Sequence, residues 1–130
     1  VGSVFEEVGV MSGLRTAAMA ALVVLTTTGP ALAEFEQVTD RAQFIKLIAG
    51  KTLSRTLVEL RVSPNGGISG NGAGWDVTGS WSWKDGYFCR DLNWGGDELG
   101  YNCQAVHSDG SRIRFTSDRG DGQSAAFTLR

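Results

Sequence analysis

The sequence WDVTGSWSWKDG, residues 75–86, decides the fold class. Apolar and polar residues alternate along it, which is the pattern of a β-strand with one face buried and the other in water. The apolar face carries Trp75, Val77, Trp81 and Trp83. Asp85 and Gly86 follow as a turn signal, since both residue types accept the positive φ that tight hairpins require. The stretch predicts a β-hairpin with Trp81 and Trp83 in the core.

The partner strand begins at Tyr87, and two registers are open to this hairpin. They differ in the partners of the two tryptophans: Trp83 with Tyr87 and Trp81 with Cys89 for a bulged three-residue loop, Trp83 with Phe88 and Trp81 with Arg90 for a strict two-residue loop. We favour the bulged loop because it does not bury a guanidinium among indoles. In that register an indole stacks on Cys89.

Residues 51–130 read as short strands separated by turn signals. Alternating apolar and polar positions predict strands at 56–62, 68–70, 75–84, 87–92, 101–107, 112–116 and 125–129. Asn-Gly pairs, Asp-Gly pairs or other glycine-rich segments stand between most of them. This spacing predicts a mainly β domain, a small antiparallel up-and-down sheet or barrel of about six to eight strands.

One helix precedes the strands, at residues 39–50. Thr39 or Asp40 is suited to cap its N-terminus, and Gly50 stands where a left-handed helix stop is common. Three apolar residues at helical spacing form one face: Phe44, Leu47 and Ile48. We expect this N-terminal helix to cover one open end or one face of the sheet.

Cys89 and Cys103 are the two cysteines of the chain, and His107 is its one histidine. The cysteines could form a disulfide, remain a thiol pair or bind a metal. A structural zinc site needs about four Cys or His ligands, and the spacing is not that of a C-x-x-C redox motif. We therefore predict a disulfide and no metal site.

Residues 11–33 have the organisation of a secretory signal peptide. A basic start is followed by an apolar run too short to span a bilayer, and small residues precede a cleavage site after Ala33. We expect the mature chain to be a single small β-rich domain, residues 34–130, in the periplasm or secreted. Residues 1–10 contain two glutamates, which do not suit a signal peptide and indicate that Met11 is the true start.

The charge balance argues against some partners. The chain has 12 Lys and Arg against 14 Asp and Glu, a formal net charge of −2 at pH 7, and its basic residues form no stripe along the sequence. A nucleic-acid-binding surface needs such a concentration of positive charge. We therefore expect no nucleic-acid partner and, once the signal peptide is removed, no membrane partner.

The run GSWSWKDGYFCR, from Gly79 to Arg90, is followed downstream by Cys103. In this G-x-W-x-W-x-D-G-x-F-C-R pattern, and over most of residues 34–107, the chain resembles a group of small exported proteins of marine and purple alphaproteobacteria. Members of that group often carry the label dihydrodipicolinate reductase, which implies a nicotinamide cofactor. Such a cofactor needs a glycine-rich turn that opens a helix, whereas the glycine-rich residues 66–72 lie between two predicted strands. We therefore expect no cofactor, and the resemblance implies a family rather than an activity.

The connections of an up-and-down sheet alternate between its two ends. Those at residues 71–74, 93–98 and 118–122 would share one end, and they are longer and richer in glycine than the others. Because binding residues concentrate on loops held by a rigid scaffold, we place a binding site at this glycine-rich loop end. Its predicted binding residues are Trp75, Trp94 and Arg119. Alternatively, the side chain of Trp94 folds back and fills part of the core.

These features favour a binding or inhibitory module of the periplasm that uses the glycine-rich loop end on a protein or a small ligand. The alternative is a small enzyme, whose site would require His107 to meet a carboxylate: Asp76, Asp91 or Asp109. The contiguous His-Ser-Asp at 107–109 does not form a triad, because adjacent residues of a strand point to opposite faces. We therefore expect no catalytic residue and favour a protein that is not an enzyme.

Overall fold

The structure is a computed structural model that describes residues 23–26 and 34–130. Residues 23–26 have no regular secondary structure. Residues 34–130 contain one α-helix, α1 (Arg41–Ile48), a short 3-10 helix (Asp118–Gly120) and nine strands. The strands are β1 (Glu36–Val38), β2 (Leu53–Arg55), β3 (Val58–Val62), β4 (Gly67–Gly72), β5 (Trp75–Lys84), β6 (Tyr87–Trp94), β7 (Asp97–Ser108), β8 (Arg112–Thr116) and β9 (Ser124–Leu129).

The predicted leader segments are mostly beyond this range. Residues 1–10 lie outside the described residues, and so does the predicted signal peptide 11–33 except for 23–26. Both assignments stay predictions. In the part of the chain that the structure describes, no helix has the length and apolar character of a membrane span.

All nine strands belong to one antiparallel sheet that closes on itself. Its order is β1-β7-β6-β5-β4-β3-β2-β9-β8, and β8 also pairs with β7. β2 to β9 therefore form a closed eight-stranded barrel in which neighbours in sequence are neighbours in the sheet, and β1 is an extra strand against β7. The prediction of a mainly β, up-and-down barrel with one helix is confirmed.

The helix α1 covers one end of this barrel through an aromatic cluster. Phe44 is fully buried at its centre, and its ring stacks on Trp83 with the centroids 5.0 Å apart. Trp81 and Phe88 contact the same ring, each at 5.2 Å. The indole nitrogen of Trp83 also donates a hydrogen bond to the carbonyl oxygen of Thr39, just ahead of the helix. Aromatic packing thus seals the helix end and leaves the glycine-rich loops at the other end.

The hairpin of β5 and β6 has the strict two-residue loop, so the predicted bulged register is wrong. Three pairs define the register: Lys84 with Tyr87, Trp83 with Phe88 and Trp81 with Arg90. Asp85 and Gly86 have φ of 53° and 86°, as in a type I′ turn, whose twist matches that of the flanking strands. The register tolerates Arg90 because its Nη1 donates a hydrogen bond to the carbonyl oxygen of Gly100, 2.8 Å away.

Cys89 and Cys103 form the predicted disulfide. They lie directly opposite each other on β6 and β7, with their Cα atoms 3.8 Å apart. Cys89 also pairs with Ser82 of β5, on the face opposite to the neighbouring tryptophans. The expected stacking of an indole on the disulfide is therefore wrong, and the bond links two adjacent strands from the other side of the sheet.

Candidate functional site

Trp75 and Trp94 lie together at the end of the barrel opposite to α1. Trp75 begins β5 and Trp94 ends β6, and both line a shallow depression of about 260 Å³ with Gly95 and Asp97. Trp75 lies directly on Gly95, because a β-carbon added there would be 3.1 Å from the tryptophan. Trp75 is 61% exposed and Trp94 39%. Two of the three predicted binding residues are thus neighbours at the glycine-rich loop end.

Arg119 lies apart from them, so the expectation that it shares their rim is wrong. Its guanidinium is 5.3 Å from the ring centroid of Tyr87. Tyr87 and Trp94 are the two ends of the eight-residue strand β6, roughly 23 Å apart at the usual rise of a strand. The cause is the stagger of the strands, because β8 pairs only with residues 105–108 of β7.

That stagger places the 117–123 connection against the middle of β7 instead of at the rim. Asn102 holds it there: its amide nitrogen donates to Asp118 Oδ1 at 2.8 Å, and its amide oxygen accepts from the Asp118 backbone at 2.9 Å. Gln104 Nε2 also donates to Ser117 Oγ, 3.1 Å away. The connection therefore forms part of the barrel wall.

His107 has no carboxylate partner among the described residues. It lies between Gln37 of β1 and Arg114 of β8, on the face opposite to the core residue Val106. Its pKa is lowered, first by desolvation and then by the positive charge of Arg114. Asp109, the nearest carboxylate in sequence, is paired with Arg112 at 3.1 Å. The pairing that a small enzyme would need is not formed.

One recess of the described domain lies inside the barrel, and sequence reasoning missed it. It has a volume of about 440 Å³, within the usual range of roughly 300–1,000 Å³ for small-molecule sites. Its apolar walls come mainly from Leu53, Leu60, Val62, Ile68, Leu92 and Phe127. Its polar groups are Arg55, Arg90, Gln104, Ser117, Gln123 and Ser124. We call this recess the barrel cavity.

The barrel cavity lies next to the aromatic cluster around Phe44, at a place where the sheet bends tightly. Gly79 of β5 pairs with Ile68 and Leu92, which line the cavity, so it faces the interior. A β-carbon at Gly79 would overlap the carbonyl oxygen of Asp91 and lie 2.8 Å from a methyl carbon of Leu92. Glycines of this kind allow a barrel sheet to bend at a corner.

Arg90 is the charged group in the wall of the barrel cavity that has a buried nitrogen without a partner. It pairs with Trp81 of β5, which places it on the inner face of β6. Its Nη1 is bonded to the carbonyl oxygen of Gly100, but its buried Nε has no hydrogen-bond partner among the described residues. Desolvation lowers the pKa of the guanidinium, and the negative charge of Asp91 acts in the opposite direction.

The sequence did contain a signal for this residue. In residues 88–94, FCRDLNW, every second position is Phe, Arg, Leu and Trp, so Arg90 stands within an apolar series of an alternating strand. A charged residue in such a series indicates one of two things: the strand register shifts there, or the interior contains a polar site.

Comparison with known proteins adds no relative. The chain matches no protein-family model, no curated protein sequence and no solved structure. The resemblance carried by the Gly79–Arg90 motif therefore stays a prediction, and functional argument depends on the geometry of the barrel itself.

Proposed function

We propose that this protein is a binding module whose ligand occupies the barrel cavity and enters from the glycine-rich loop end. The observation that carries the proposal is a cavity of about 440 Å³ with apolar walls and a few polar side chains. Recesses of this composition are the usual form of small-molecule sites, and eight-stranded barrels have room for one small ligand.

The position of the cavity agrees with the loop end as the entrance. Arg55, at the end of β2, lines the cavity and precedes the turn that is hydrogen-bonded to Ala73, on the side away from α1. The helix end is closed by Phe44 and its aromatic neighbours. A ligand therefore has its shortest path to the cavity through the side that α1 does not cover.

A fluorescent apolar amine, N-phenyl-1-naphthylamine, tests this proposal, because its emission rises and shifts to the blue in an apolar cavity. We expect the wild type to bind it. Ala125→Phe should abolish binding, since Ala125 lines the cavity and faces inward opposite Phe115. Ala126→Phe is the matched control, because Ala126 is exposed on the other face of β9.

Binding by wild type and Ala126→Phe, with loss in Ala125→Phe, would support the cavity as the site. Equal binding by all three would place the dye elsewhere and refute the proposal. Thermal melting of each variant shows whether the barrel remains folded. Loss of binding counts only for a variant whose melting is cooperative.

A second candidate, an inhibitory module that docks a protein, is favoured by the exposure of Trp75. Its side chain is 61% exposed and is held against Gly95 beside Trp94. Exposed aromatic residues on a rigid scaffold are frequent centres of protein interfaces. Capture of a partner from periplasmic extract by wild type, but not by Trp75→Ser, would support this candidate; equal capture by both would oppose it. No contact among the described residues favours the third candidate, a small enzyme.

We also propose that the module is exported. The Cys89–Cys103 bond fits an oxidising compartment, where disulfides form and persist. The intact mass of the protein recovered from the periplasm or medium should correspond to a chain that begins at Glu34. A recovered mass that includes residues 11–33 would contradict the signal peptide.

A further inference from the structure

We propose that the ligand of the barrel cavity is a small amphipathic carboxylate, with its head group at Arg90 and its apolar part against the walls. This inference rests on the proposed binding function and adds the chemical class of the ligand. It follows from three features of the cavity: the sign of its charges, the unpaired nitrogen of Arg90, and the separation of its apolar wall from its polar wall.

The charges of the cavity wall have one sign. Among the described residues that line the recess, the titratable side chains are Arg55 and Arg90, and none is Asp or Glu. The chain as a whole is acidic, with a formal net charge of −2 at pH 7. Arg55 is exposed and Arg90 is partly buried, and a partly buried positive charge favours an anion as its partner.

The two arginines are satisfied to different degrees. The guanidinium of Arg55 lies 5.6 Å from the ring centroid of Phe127, a favourable cation–π position. Arg90 has one hydrogen bond, from Nη1 to the carbonyl oxygen of Gly100, while Nε is buried without a partner in the described domain. Arg55 is exposed, so Arg90 is the lining arginine with a buried nitrogen that lacks a partner.

A carboxylate at Arg90 would use the donors that Gly100 leaves unpaired. With Nη1 engaged by Gly100, the edge of the guanidinium formed by Nε and Nη2 remains. An arginine edge of this kind binds the two oxygens of a carboxylate through parallel hydrogen bonds. Nearby on the wall, Gln104 and Ser117 are joined by a 3.1 Å hydrogen bond and add neutral polar groups.

The rest of the lining suits an apolar tail. β2, β3 and β4 contribute four aliphatic side chains to the cavity: Leu53, Leu60, Val62 and Ile68. Most polar lining residues come instead from β6, β7 and the segment 117–124. The cavity thus has a mainly apolar wall and a mainly polar wall, so that a ligand with a charged head and an aliphatic chain satisfies both.

The test compares octanoate with 1-octanol, which share the chain and differ in the head group. Each is titrated against the protein with N-phenyl-1-naphthylamine bound, and displacement gives the two dissociation constants. We expect octanoate to bind about ten- to a hundredfold more tightly than octanol, the range that hydrogen bonds to a charged group contribute. Arg90→Met should bring the ratio close to one.

Arg61→Met is the matched control, because Arg61 is exposed on the outer face of β3 and its loss should leave the ratio unchanged. Arg55→Met should lower the ratio less than Arg90→Met. A readout independent of variants is the carboxyl pKa of octanoate labelled with ¹³C at its first carbon. Bound to the wild type, this pKa should fall below the value of free octanoate, because a guanidinium stabilises the carboxylate.

The outcomes separate the two proposals. Equal displacement by octanoate and octanol, or an unchanged carboxyl pKa, would overturn the assignment of an anion while leaving a cavity that binds apolar molecules. Failure of the wild type to bind the dye, octanoate and octanol would overturn both. An Arg90→Met ratio equal to that of the wild type would exclude Arg90 as the anchor and overturn the assignment of the head group.

Discussion

The indole nitrogen of Trp94 donates a hydrogen bond to the carbonyl oxygen of Gly72 across 2.8 Å. A β-carbon at Gly72 would lie 3.4 Å from the same nitrogen, so the ring rests directly over the end of β4. This contact explains why Trp94 is 39% exposed while Trp75 beside it is 61% exposed. Trp94 is neither a plug of the core nor a free rim residue, since one edge is fixed to the sheet and the other remains in solvent.

The two kinds of tryptophan should differ in their effect on stability. Trp81 is 6% exposed, contacts Phe44 and donates to the carbonyl oxygen of Ser63 at 2.8 Å. Trp81→Ala should therefore lower the free energy of unfolding by about 3–5 kcal/mol, as for other buried aromatic residues. Trp94→Ala should lower it by about 1–2 kcal/mol, because it loses one hydrogen bond and part of a contact. Urea unfolding measures both, and equal losses would assign Trp94 to the core.

The disulfide should be a main contributor to the stability of this small barrel. Reduction, or the double substitution Cys89→Ser with Cys103→Ser, should lower the free energy of unfolding by about 2–5 kcal/mol. The matched control is Asp91→Ser with Tyr101→Ser, which alters the next directly opposed pair on the same face of β6 and β7 without breaking a covalent bond. If the free energy of unfolding falls no more than in this control, the covalent bond contributes no stability beyond the packing of the two side chains.

Features encoded by local pattern were predictable. The predicted strands 75–84 and 112–116 agree with β5 and β8 residue for residue. The helix was predicted at 39–50 and occupies Arg41–Ile48, where Asp40 takes the N-cap position without a side-chain bond. Gly50 has the expected left-handed φ, 72°. The spacing of apolar residues predicts these strands and this helix because each of them buries one face.

Features that depend on distant partners were missed. The sequence predicts one strand at 56–62, whereas the structure turns at residues 56–57, between β2 and β3. No glycine or asparagine marks this turn; Leu57 itself adopts a φ of 65°. β2 forms because it closes the barrel between β3 and β9, which local pattern does not report. The barrel cavity likewise depends on closure, so no single segment of sequence predicts it.

Gly79 should be intolerant of a side chain. Gly79→Ala places a methyl group against the carbonyl oxygen of Asp91 and the side chain of Leu92, so the sheet must open locally. We expect the free energy of unfolding to fall by about 1–3 kcal/mol, as for other overpacked sites. Ser80→Ala is the control, since the exposed Ser80 is on the outer face and should change stability by less than about 0.5 kcal/mol. Equal stability of the two variants would show that the corner relaxes freely.

The turn between β7 and β8 should make stability depend on pH in the acid range. Asp109 Oδ1 accepts hydrogen bonds from the backbone nitrogens of Arg112 and Ser111, at 2.8 and 3.0 Å, and Oδ2 accepts from the Arg112 guanidinium. Led by the bond to the Arg112 backbone, these contacts lower the pKa of Asp109 from 3.8 to about 2.

A lowered carboxyl pKa means that the unfolded chain binds the proton more tightly than the folded one. The stabilisation by Asp109 is therefore complete above pH 3.8 and is lost as the pH falls through about 2. Asp109→Asn should be less stable than the wild type at neutral pH, and the difference should shrink over this window. Thermal melting monitored by circular dichroism, from neutral pH to about pH 2, measures this difference.

Asp76→Asn is the control, because the exposed Asp76 side chain makes no hydrogen bond among the described residues. A stability difference between Asp109→Asn and the wild type that stays constant across the window would contradict the role of the Asp109 charge.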